Sequence, residues 1–468
     1  MQTMMIRNPR TGVNDFSLPV CAADDVAFKV EQLRTNQKKW QELTIESRIF
    51  VLNKLIKGLS DNKDAITQAL IDDTGRYNES ILEIDVVIQG IKRWCEQAPS
   101  ILDISEEKAA EIPFLKIKQT FLPYEVVGII SPWNFPLLLS LVDAIPALLA
   151  GCSVLLKPSE ITSRFVEPFQ KVINAIPDLA DVFTIVTGDG STGQSVIEQV
   201  DSLCFTGSVA TGRKVAVACA ERFIPAFLEL GGKDPAIVCE DADVSLAAKA
   251  LCWGSMVNAG QSCMSLERVY VHKAIADEFL TQLSDNVAQL KHNFPDIKQG
   301  DIGPIISDKQ VEIVKLQLQD AKDKGAKVLC GGNVVELGGG FYCEPTVLTD
   351  VTPDMAVISQ ETFAAILPVI VVDSDQDALA LANESVYGLS AAVFSQNIEH
   401  AEAIANALEA GAISINDASL TALVHEMEKQ SFKLSGLGGS RMGKASIFRF
   451  VRKKAFIKNT GVASPWWF

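Results

Sequence analysis

Five short apolar runs occupy residues 126–230: VVGII (126–130), SVLLK (153–157), FTIVT (183–187), SLCFT (202–206) and AFLEL (226–230). Segments of helical length separate them, and Gly or Pro bounds most of them. Strands that alternate with helices in this way form βαβ units, whose strands pair in a parallel sheet. The segment therefore predicts an α/β fold.

Ligands of such sheets bind beyond the carboxyl ends of the strands, so the residues after each run are the first candidates for a site. These residues are Ser131-Pro-Trp-Asn134, Pro158-Ser-Glu160, Gly188-Asp-Gly190, Gly207-Ser208 and Gly231-Gly232. Two glycine-rich stretches compete for a phosphate group. GDGSTG (188–193) matches the G-x-G-x-x-G pattern, which alone is weak evidence. FTGSVATG (205–212) lies at a strand-to-helix turn, where free N–H groups can bind an anion.

A second alternation of apolar runs begins at Lys233 and predicts a second α/β unit. Its runs include AIV (236–238), RVYV (268–271), PVIVV (368–372) and AAVF (391–394). Within it, NAGQSCMSLERVY (258–270) leads from an apolar helix through Ala-Gly into a strand. Cys263 is thus predicted on a turn between rigid elements, where reactive groups are commonly held. A buried structural cysteine is the alternative.

Two further side chains are candidates for chemistry. Glu229 ends the fifth run in partly apolar surroundings, where burial would raise its pKa toward that of a general base. A helix N-cap or an ion pair with Lys233 is the alternative. Asn134 lies in SPWNFP (131–136), whose prolines fix the backbone so that the amide can face a developing negative charge. A simple Pro-Asn turn is the alternative.

The first 110 residues are predicted to be helical and carry no candidate for chemistry. Leu52 begins an apolar face with the i, i+3, i+4, i+7 spacing of a helix. Residues 112–124 and 448–458 alternate in polarity and are predicted to be exposed strands.

Composition excludes several classes of protein. The chain has 468 residues, enough for two or three domains, and is 48% hydrophobic and 21% charged, as expected for a soluble globular protein. A net charge of −16 argues against nucleic acid as a partner. Ten cysteines without a Cys-x-x-Cys pair, and only four histidines, predict no metal site, no disulfide framework and a cytoplasmic location.

Neither a secretory signal nor a membrane span is expected. The first residues, MQTMMIRNPRTG, lack a basic segment followed by an apolar one. The apolar stretch 135–156 approaches membrane-spanning length, but it contains Asp143 and two prolines. A buried helix followed by a buried strand explains it better.

Taken together, the motifs closely resemble those of the aldehyde dehydrogenase superfamily. SPWNFP (131–136), LLKPSE (155–160), FTGS (205–208), LELGGKDPAIV (228–238), NAGQSC (258–263) and ETF (361–363) occur in family order. The resemblance, which runs from about Arg7 to Lys458, implies an α/β fold with three parts. These are a Rossmann-type parallel-sheet cofactor domain at 1–111 and 126–230, a second α/β catalytic domain at 231–437, and a small β oligomerisation arm at 112–125 and 448–460.

The resemblance also implies a reaction, the NAD(P)-dependent oxidation of an aldehyde to its carboxylic acid. Cys263 would attack the aldehyde carbon, and Asn134 with the backbone N–H of Cys263 would form the oxyanion hole. Hydride transfer to the cofactor would leave a thioester, and Glu229 would activate the water that hydrolyses it. A homodimer or homotetramer is implied as well.

The implied cofactor residues follow the length of a dinucleotide. They are Lys157, Glu160 and Gly190 on the adenine side, Gly207 and Ser208 at the pyrophosphate, Glu361 and Phe363 at the nicotinamide, and Ser131, Trp133, Ser159, Phe205, Leu230 and Gly231 around them. GDGSTG would then lie near the adenine and not on the phosphates. NAD is expected over NADP, because Glu160 can accept hydrogen bonds from ribose hydroxyls and would repel a 2′-phosphate. Lys157 acts in the opposite direction, so NADP stays possible.

The sequence departs from the family pattern in three places. Thr162-Ser163 replaces the usual Thr-Pro, and Ala364-Ala365 replaces the usual Gly-Pro, which bears on the mobility of the Phe363 loop. The segment Ser431–Gly436, at the border of the substrate funnel, is two residues shorter than usual. The tail SPWWF (464–468) is assigned no role.

The implied funnel is nearly all apolar. Its residues are Phe135, Leu138, Leu139, Val142, Ser262, Met264, Leu420, Leu423, Val424 and Phe432. With no Arg or Lys among them to pair with a carboxylate, a medium-chain aliphatic or aromatic aldehyde is the predicted substrate. A semialdehyde dehydrogenase that uses Lys433 or His425 as the anion partner is the alternative.

Two other interpretations belong to different classes of protein. A CoA-acylating relative would lack the deacylating glutamate, so Glu229 argues against it. A catalytically silent structural homologue would be expected to have lost Cys263, Glu229 or Asn134, and all three are present.

Overall fold

The computed structural model describes residues 2–103 and 106–461. The tail SPWWF therefore lies outside the described residues. Among the helices that are described, none combines the length and the apolar character needed to span a membrane.

An antiparallel hairpin precedes the helices of the N-terminal segment. Its strands are β1 (Thr3–Arg7) and β2 (Asn14–Pro19). Four helices follow: α1 (Ala23–Glu42), α2 (Ile45–Asp61), α3 (Lys63–Thr74) and α4 (Asn78–Leu102). The predicted apolar face of α2 is buried at Leu52, Leu55 and Leu59. The wholly helical prediction is wrong at the hairpin, because strands of five and six residues are too short for their alternation to stand out.

The five apolar runs form parallel strands, as predicted. They are β5 (Val126–Ile130), β6 (Ser153–Lys157), β7 (Phe183–Ile185), β8 (Ser202–Thr206) and β9 (Ala226–Glu229). A short strand, β19 (Gly436–Leu437), pairs antiparallel with β9 and completes a sheet of order β19-β9-β8-β5-β6-β7. The connecting helices are α5 (Leu138–Ala150), α6 (Val166–Asn174), α7 (Pro177–Ala180), α8 (Gly190–Gln199) and α9 (Val209–Glu221). The apolar stretch 135–156 is accordingly a buried helix followed by a buried strand.

A second, seven-stranded sheet follows. Its strands are β10 (Asp234–Val238), β11 (Leu266–His272), β12 (Lys327–Cys330), β15 (Thr346–Thr349), β16 (Ile366–Val372), β17 (Ala391–Phe394) and β18 (Ile413–Ile415). Their order is β12-β15-β16-β11-β10-β17-β18, and only the β12–β15 pair is antiparallel. A hairpin of β13 (Val334–Leu337) and β14 (Gly340–Cys343) stands apart. The helices are α10 (Val244–Met256), α11 (Ala276–Ala288), α12 (Asp308–Asp323), α13 (Ala356–Ser359), α14 (Asp375–Asn383) and α15 (Ile398–Ala407).

A third sheet joins distant parts of the chain. Its strands β3 (Lys108–Ala109), β4 (Leu115–Pro123) and β20 (Val451–Asn459) are antiparallel and lie in the order β20-β4-β3. The predicted strand at 448–458 begins only at Val451. Residues 444–450 instead form a 3-10 helix, because Ile447 and Phe450 are buried in the core that also holds α4 and α5.

Candidate active site

The turn that carries Cys263 is strained. After α10 ends, Asn258 (φ 59°), Ala259 (φ 53°) and Gly260 (φ 70°) are all left-handed. Side chains other than Gly avoid this region, and strained backbone of this kind clusters at functional sites. A Cβ on Gly260 would lie 2.2 Å from the carbonyl oxygen of Ala364, so only glycine fits there. The turn thus reverses sharply and leaves Cys263 partly exposed.

Asn134 lies directly beside this turn. Its Nδ2 donates a hydrogen bond to the carbonyl of Gln261 over 3.0 Å, and Nδ2 of Asn258 donates to the same carbonyl over 2.8 Å. Gln261 precedes Cys263 by two residues. The amide of Asn134 is therefore bound to the turn that carries Cys263, although the two residues are 129 positions apart in the chain.

Two buried charged residues hold the loop of Asn134 in place. Arg76, 1% exposed, donates from Nη2 to the carbonyl of Asn134 over 2.6 Å. Glu83 accepts the backbone N–H groups of Leu137 and Leu138 with one carboxylate oxygen, each over 2.8 Å. Burial raises the pKa of Glu83 to about 7. Both residues belong to the first 110 residues of the chain and support the loop of Asn134 from there.

The carboxylate of Glu229 faces the segment that precedes β19. Its Oε2 accepts a hydrogen bond from the hydroxyl of Ser431 over 3.1 Å and lies 4.0 Å from Nζ of Lys429. The ion pair considered between Glu229 and Lys233 is absent from the described structure. Lys233 instead binds Glu267, over 2.7 Å.

Charges around Cys263 oppose its ionisation, with one exception. Burial raises the pKa of the Cys263 thiol to about 12, and the carboxylates of Asp234, Glu229 and Glu361 act in the same direction. The ammonium of Lys429 lowers it. Lys429 was missed in the sequence, where nothing distinguishes it from other lysines of an exposed loop.

On the adenine side of the expected cofactor site, a lysine and a glutamate are paired. Nζ of Lys157, 3% exposed, lies 3.1 Å from Oε2 of Glu160. A Cβ on Gly193 would lie 3.9 Å from Cδ of Lys157, so the start of α8 adjoins this pair. A Cβ on Gly190 would meet nothing within 4 Å. Ser159, between the two charged residues, accepts the N–H of residue 161.

In the strand-to-helix turn after β8, some of the polar groups already have hydrogen-bond partners within the protein. The hydroxyl of Ser208 caps α9 by accepting the N–H of Thr211 over 3.3 Å. The N–H of Gly207 donates to the carbonyl of Glu229 over 3.2 Å. A Cβ on Gly207 would lie 2.7 Å from the ring of Phe205. The remaining free N–H groups at the start of α9 are the ones that can meet an anion.

On the nicotinamide side, Glu361 rests on the glycines that follow β9. Its Oε1 accepts the N–H of Gly232 over 3.2 Å, and a Cβ on Gly231 would lie 2.4 Å from its Oε2. Burial and the neighbouring Glu267 raise the pKa of Glu361. Phe363 follows Glu361 by two residues, and its ring packs edge to face on that of Trp133, with the centroids 5.2 Å apart.

The two remaining cofactor candidates pack beside these elements. The hydroxyl of Ser131 shares a hydrogen bond with that of Ser140 over 2.8 Å. The N–H of Leu230 donates to the carbonyl of Ser435. The side chain of Leu230 packs against Gly212 of α9, where an added Cβ would lie 2.5 Å from it.

Comparison with known proteins decides the family. A model described as the aldehyde dehydrogenase family matches residues 1–456. The chain belongs to the aldehyde dehydrogenase family. Its enzyme class follows from that membership: it is an NAD(P)-dependent oxidoreductase that acts on aldehydes.

Individual relatives in the family cover nearly the whole chain. A Mycolicibacterium smegmatis protein, provisionally named succinate-semialdehyde dehydrogenase (NADP+), is 34% identical over 97% of this chain and 88% of its own. The 4,4'-diapolycopene aldehyde oxidase of Methylomonas sp is 38% identical over 89% of this chain and 78% of its own. The structure of PutA from Anabaena variabilis, provisionally named an aldehyde dehydrogenase, is 49% identical and covers both chains completely with a TM-score of 0.98.

Two of the three departures from the family pattern lie beside residues with defined hydrogen bonds. The N–H groups of Thr362 and Phe363 both donate to Glu267, over 2.7 and 2.8 Å, and Glu267 also binds Lys233. Ala364 and Ala365, which replace the usual Gly-Pro, are buried. The loop of Phe363 is therefore anchored from both sides. At Thr162-Ser163, the hydroxyl of Thr162 donates to the carbonyl of Trp133, whereas the buried hydroxyl of Ser163 has no hydrogen-bond partner within the described residues.

The expected funnel residues differ in exposure. Half-buried are Phe135, Leu138, Leu139, Val142, Ser262, Met264 and Leu420, and exposed are Leu423, Val424 and Phe432. The ring of Phe135 is fixed under the guanidinium of Arg76, 5.1 Å from its centroid. The N–H of Phe432 donates to the carbonyl of Gly388.

The two cations considered as anion partners are engaged elsewhere or uncharged. Nζ of Lys433 donates to the carbonyls of Asn383 and Ser385 and pairs with Glu409 over 2.6 Å. Burial lowers the pKa of His425, which favours its neutral form at neutral pH. Lys429 is the cation that this loop directs toward the catalytic candidates.

One cluster outside the site combines residues of metal-binding type. Possible ligand atoms of Cys239, Asp375 and His400 lie within 4.8 Å of one another. Nε2 of His400 and Oδ2 of Asp375 are 2.7 Å apart, a hydrogen bond, whereas two ligands of one tetrahedral zinc stand about 3.3 Å apart. We assign the cluster to hydrogen bonding.

Proposed function

We propose that the protein oxidises an aldehyde to a carboxylic acid through a thioester on Cys263. The thiolate adds to the aldehyde carbon, and the oxygen that gains the electron pair is stabilised by the Asn134 amide and the backbone N–H of Cys263. A bound NAD(P) supplies the acceptor for the hydride that leaves this carbon. Glu229 then takes a proton from water, the oxygen attacks the thioester, and the carbon–sulfur bond breaks to release the acid.

The observation that carries this proposal is the hydrogen bond from Asn134 to the carbonyl of Gln261. It joins the oxyanion-hole candidate to the turn of the nucleophile candidate, while Glu229 is near enough to influence the charge of Cys263. The space beside Gly190, the Lys157–Glu160 pair and the start of α9 support a dinucleotide along the sheet edge. An assay of NAD(P)H production from a panel of aldehydes, with and without CoA, tests it. A requirement for CoA would favour the acylating alternative, and no turnover with any aldehyde would favour a silent homologue.

We further propose that NAD is preferred to NADP. The carboxylate of Glu160 would repel the 2′-phosphate of NADP. Lys157 would attract that phosphate, but its ammonium is already paired with Glu160. The name of the Mycolicibacterium relative gives NADP+ for that protein. Comparing kcat/KM for the two cofactors tests the preference, and equal values would contradict it.

For the substrate we propose an apolar aldehyde. Phe135, Leu138 and Met264 offer half-buried apolar surface, and each buried CH₂ should contribute about 0.8 kcal/mol. Among the relatives, the Methylomonas protein is named a 4,4'-diapolycopene aldehyde oxidase, and the Mycolicibacterium protein is named for succinate semialdehyde. We expect kcat/KM to rise from acetaldehyde to hexanal or benzaldehyde. A preference for succinic semialdehyde over hexanal would contradict this, and Lys429 would then be its anion partner.

We also propose that the chain forms a homodimer or homotetramer through its third sheet. Strand β20 lies at the edge of that sheet, and Phe456 (47% exposed) and Ile457 (71%) present apolar surface on it. An open apolar edge of this kind favours pairing with another chain. Phe456→Glu with Ile457→Glu should shift the mass by light scattering to that of a monomer, and an unchanged mass would contradict the assignment.

A cytoplasmic location is proposed from the cysteines. All ten are free, including those close enough to solvent to oxidise. Fractionation of the source cells tests this, and recovery with an exported fraction would contradict it.

A further inference from the structure

The segment that carries Lys429 is bound to the segment around Ser440. The N–H of Lys429 donates to the hydroxyl of Ser440 over 3.0 Å, and this hydroxyl also accepts the N–H of Met442. A Cβ on Gly443 would lie 2.5 Å from Cγ of Glu428, so the two parts of the chain are in close contact. The backbone of Lys429 is therefore held by a neighbouring segment, although it belongs to a loop.

The side chain of Lys429 is 8% exposed, and its nearest carboxylate is not in direct hydrogen-bond contact. Its Nζ lies 4.0 Å from Oε2 of Glu229, which is beyond hydrogen-bond distance. The same carboxylate oxygen accepts the hydroxyl of Ser431, over 3.1 Å. A buried ammonium needs compensating charge, so its proximity to Glu229 and Cys263 has electrostatic consequences for both.

Among the charged groups around Cys263 and Glu229, Lys429 is the cation in a position to stabilise a negative charge on both. Carboxylates of Asp234, Glu229 and Glu361 oppose a negative charge on Cys263. The guanidinium of Arg441 also interacts with Glu229, but it is bound to Asp143 over 2.8 Å and to Thr206.

We propose that Lys429 is a positioning residue of the catalytic centre, whose ammonium orients the carboxylate of Glu229 and favours the thiolate of Cys263. The inference rests on the proposed roles of Cys263 and Glu229. It places one cation beside reactive groups whose neighbouring charges include the carboxylates of Asp234 and Glu361.

The test measures the reactivity of Cys263 without cofactor or aldehyde. Wild type, Lys429→Met and Lys429→Arg are treated with iodoacetamide between pH 7 and 10, and alkylation of the Cys263 peptide is followed by mass spectrometry. At a fixed pH, Lys429→Met should react several-fold more slowly, because the thiolate of Cys263 loses a neighbouring positive charge, and Lys429→Arg should stay close to wild type. The exposed Lys444 gives the control, and Lys444→Met should react as wild type does.

Equal alkylation rates for wild type and Lys429→Met would overturn the proposal. So would a Lys429→Met enzyme with normal kcat/KM for hexanal and a loss confined to succinic semialdehyde, since that result marks an anion anchor. If Lys429→Arg also reacts slowly, the charge is not the cause and the proposal fails. The proposed function is tested separately, because a fully active Cys263→Ala enzyme would contradict it whatever the alkylation rates are.

Discussion

Replacing Glu267 by Gln should weaken both the fold and the loop of Phe363. Glu267 and its partner Lys233 have side chains 3% and 0% exposed, and their atoms lie 2.7 Å apart. Removing one member of a buried pair leaves an uncompensated charge and costs about 3–5 kcal/mol. Gln also cannot accept both N–H groups of Thr362 and Phe363 as the carboxylate does. We therefore expect a loss of about 3–5 kcal/mol in the free energy of unfolding, with a raised KM for NAD(P).

Urea unfolding at pH 7, together with initial rates, measures both effects of Glu267→Gln. The control is Asp373→Asn, which breaks the pair with Lys273 at the same 2.7 Å separation on the surface, and it should unfold at the wild-type urea concentration. Because burial lowers the pKa of Lys233, the loss should shrink as pH rises toward 10 and that lysine is neutralised. A Glu267→Gln variant as stable as Asp373→Asn would refute the reasoning.

Two further predictions concern buried charges near the site. Burial raises the pKa of Asp234 to about 7, against about 3.9 in an unfolded chain, so the protein should lose up to about 4 kcal/mol of stability as pH rises from 4 to 7. Asp234→Asn should flatten this part of the curve in urea titrations, and a variant that keeps the slope would contradict the assignment. Arg76→Lys should lower kcat about tenfold to a hundredfold with little change in KM for the aldehyde, because Asn134 loses the hydrogen bond that orients it. Steady-state rates measure this, and a wild-type kcat would contradict it.

The parallel sheet was predictable from the sequence because each strand is short, apolar and bounded by turn residues. The first four runs, from Val126 to Thr206, are almost wholly buried, so their apolar character alone marks them, whereas the run at 226–230 is only partly buried. Residues just after the runs carried the family motifs, and this located most of the candidate site. The hairpin of β1 and β2 carried no comparable signal.

Long-range supports of the site could not be predicted. Arg76 reaches Asn134 across 58 residues and Glu83 reaches Leu137 across 54, and neither contact has a local pattern. The inward orientation of Lys429 could not be predicted for another reason. Among several lysines of one loop, only the path of the backbone decides which faces inward, and here Lys433 faces outward to Glu409.

The reaction sequence is tested most directly by the Glu229→Gln variant. With hexanal and NAD, the account predicts a burst of about one NADH per site followed by slow turnover, because acylation survives while hydrolysis of the thioester is impaired. Mass spectrometry of the quenched enzyme should find the acyl group on Cys263. An unchanged steady-state rate without a burst, or an acyl group on any other residue, would contradict the account.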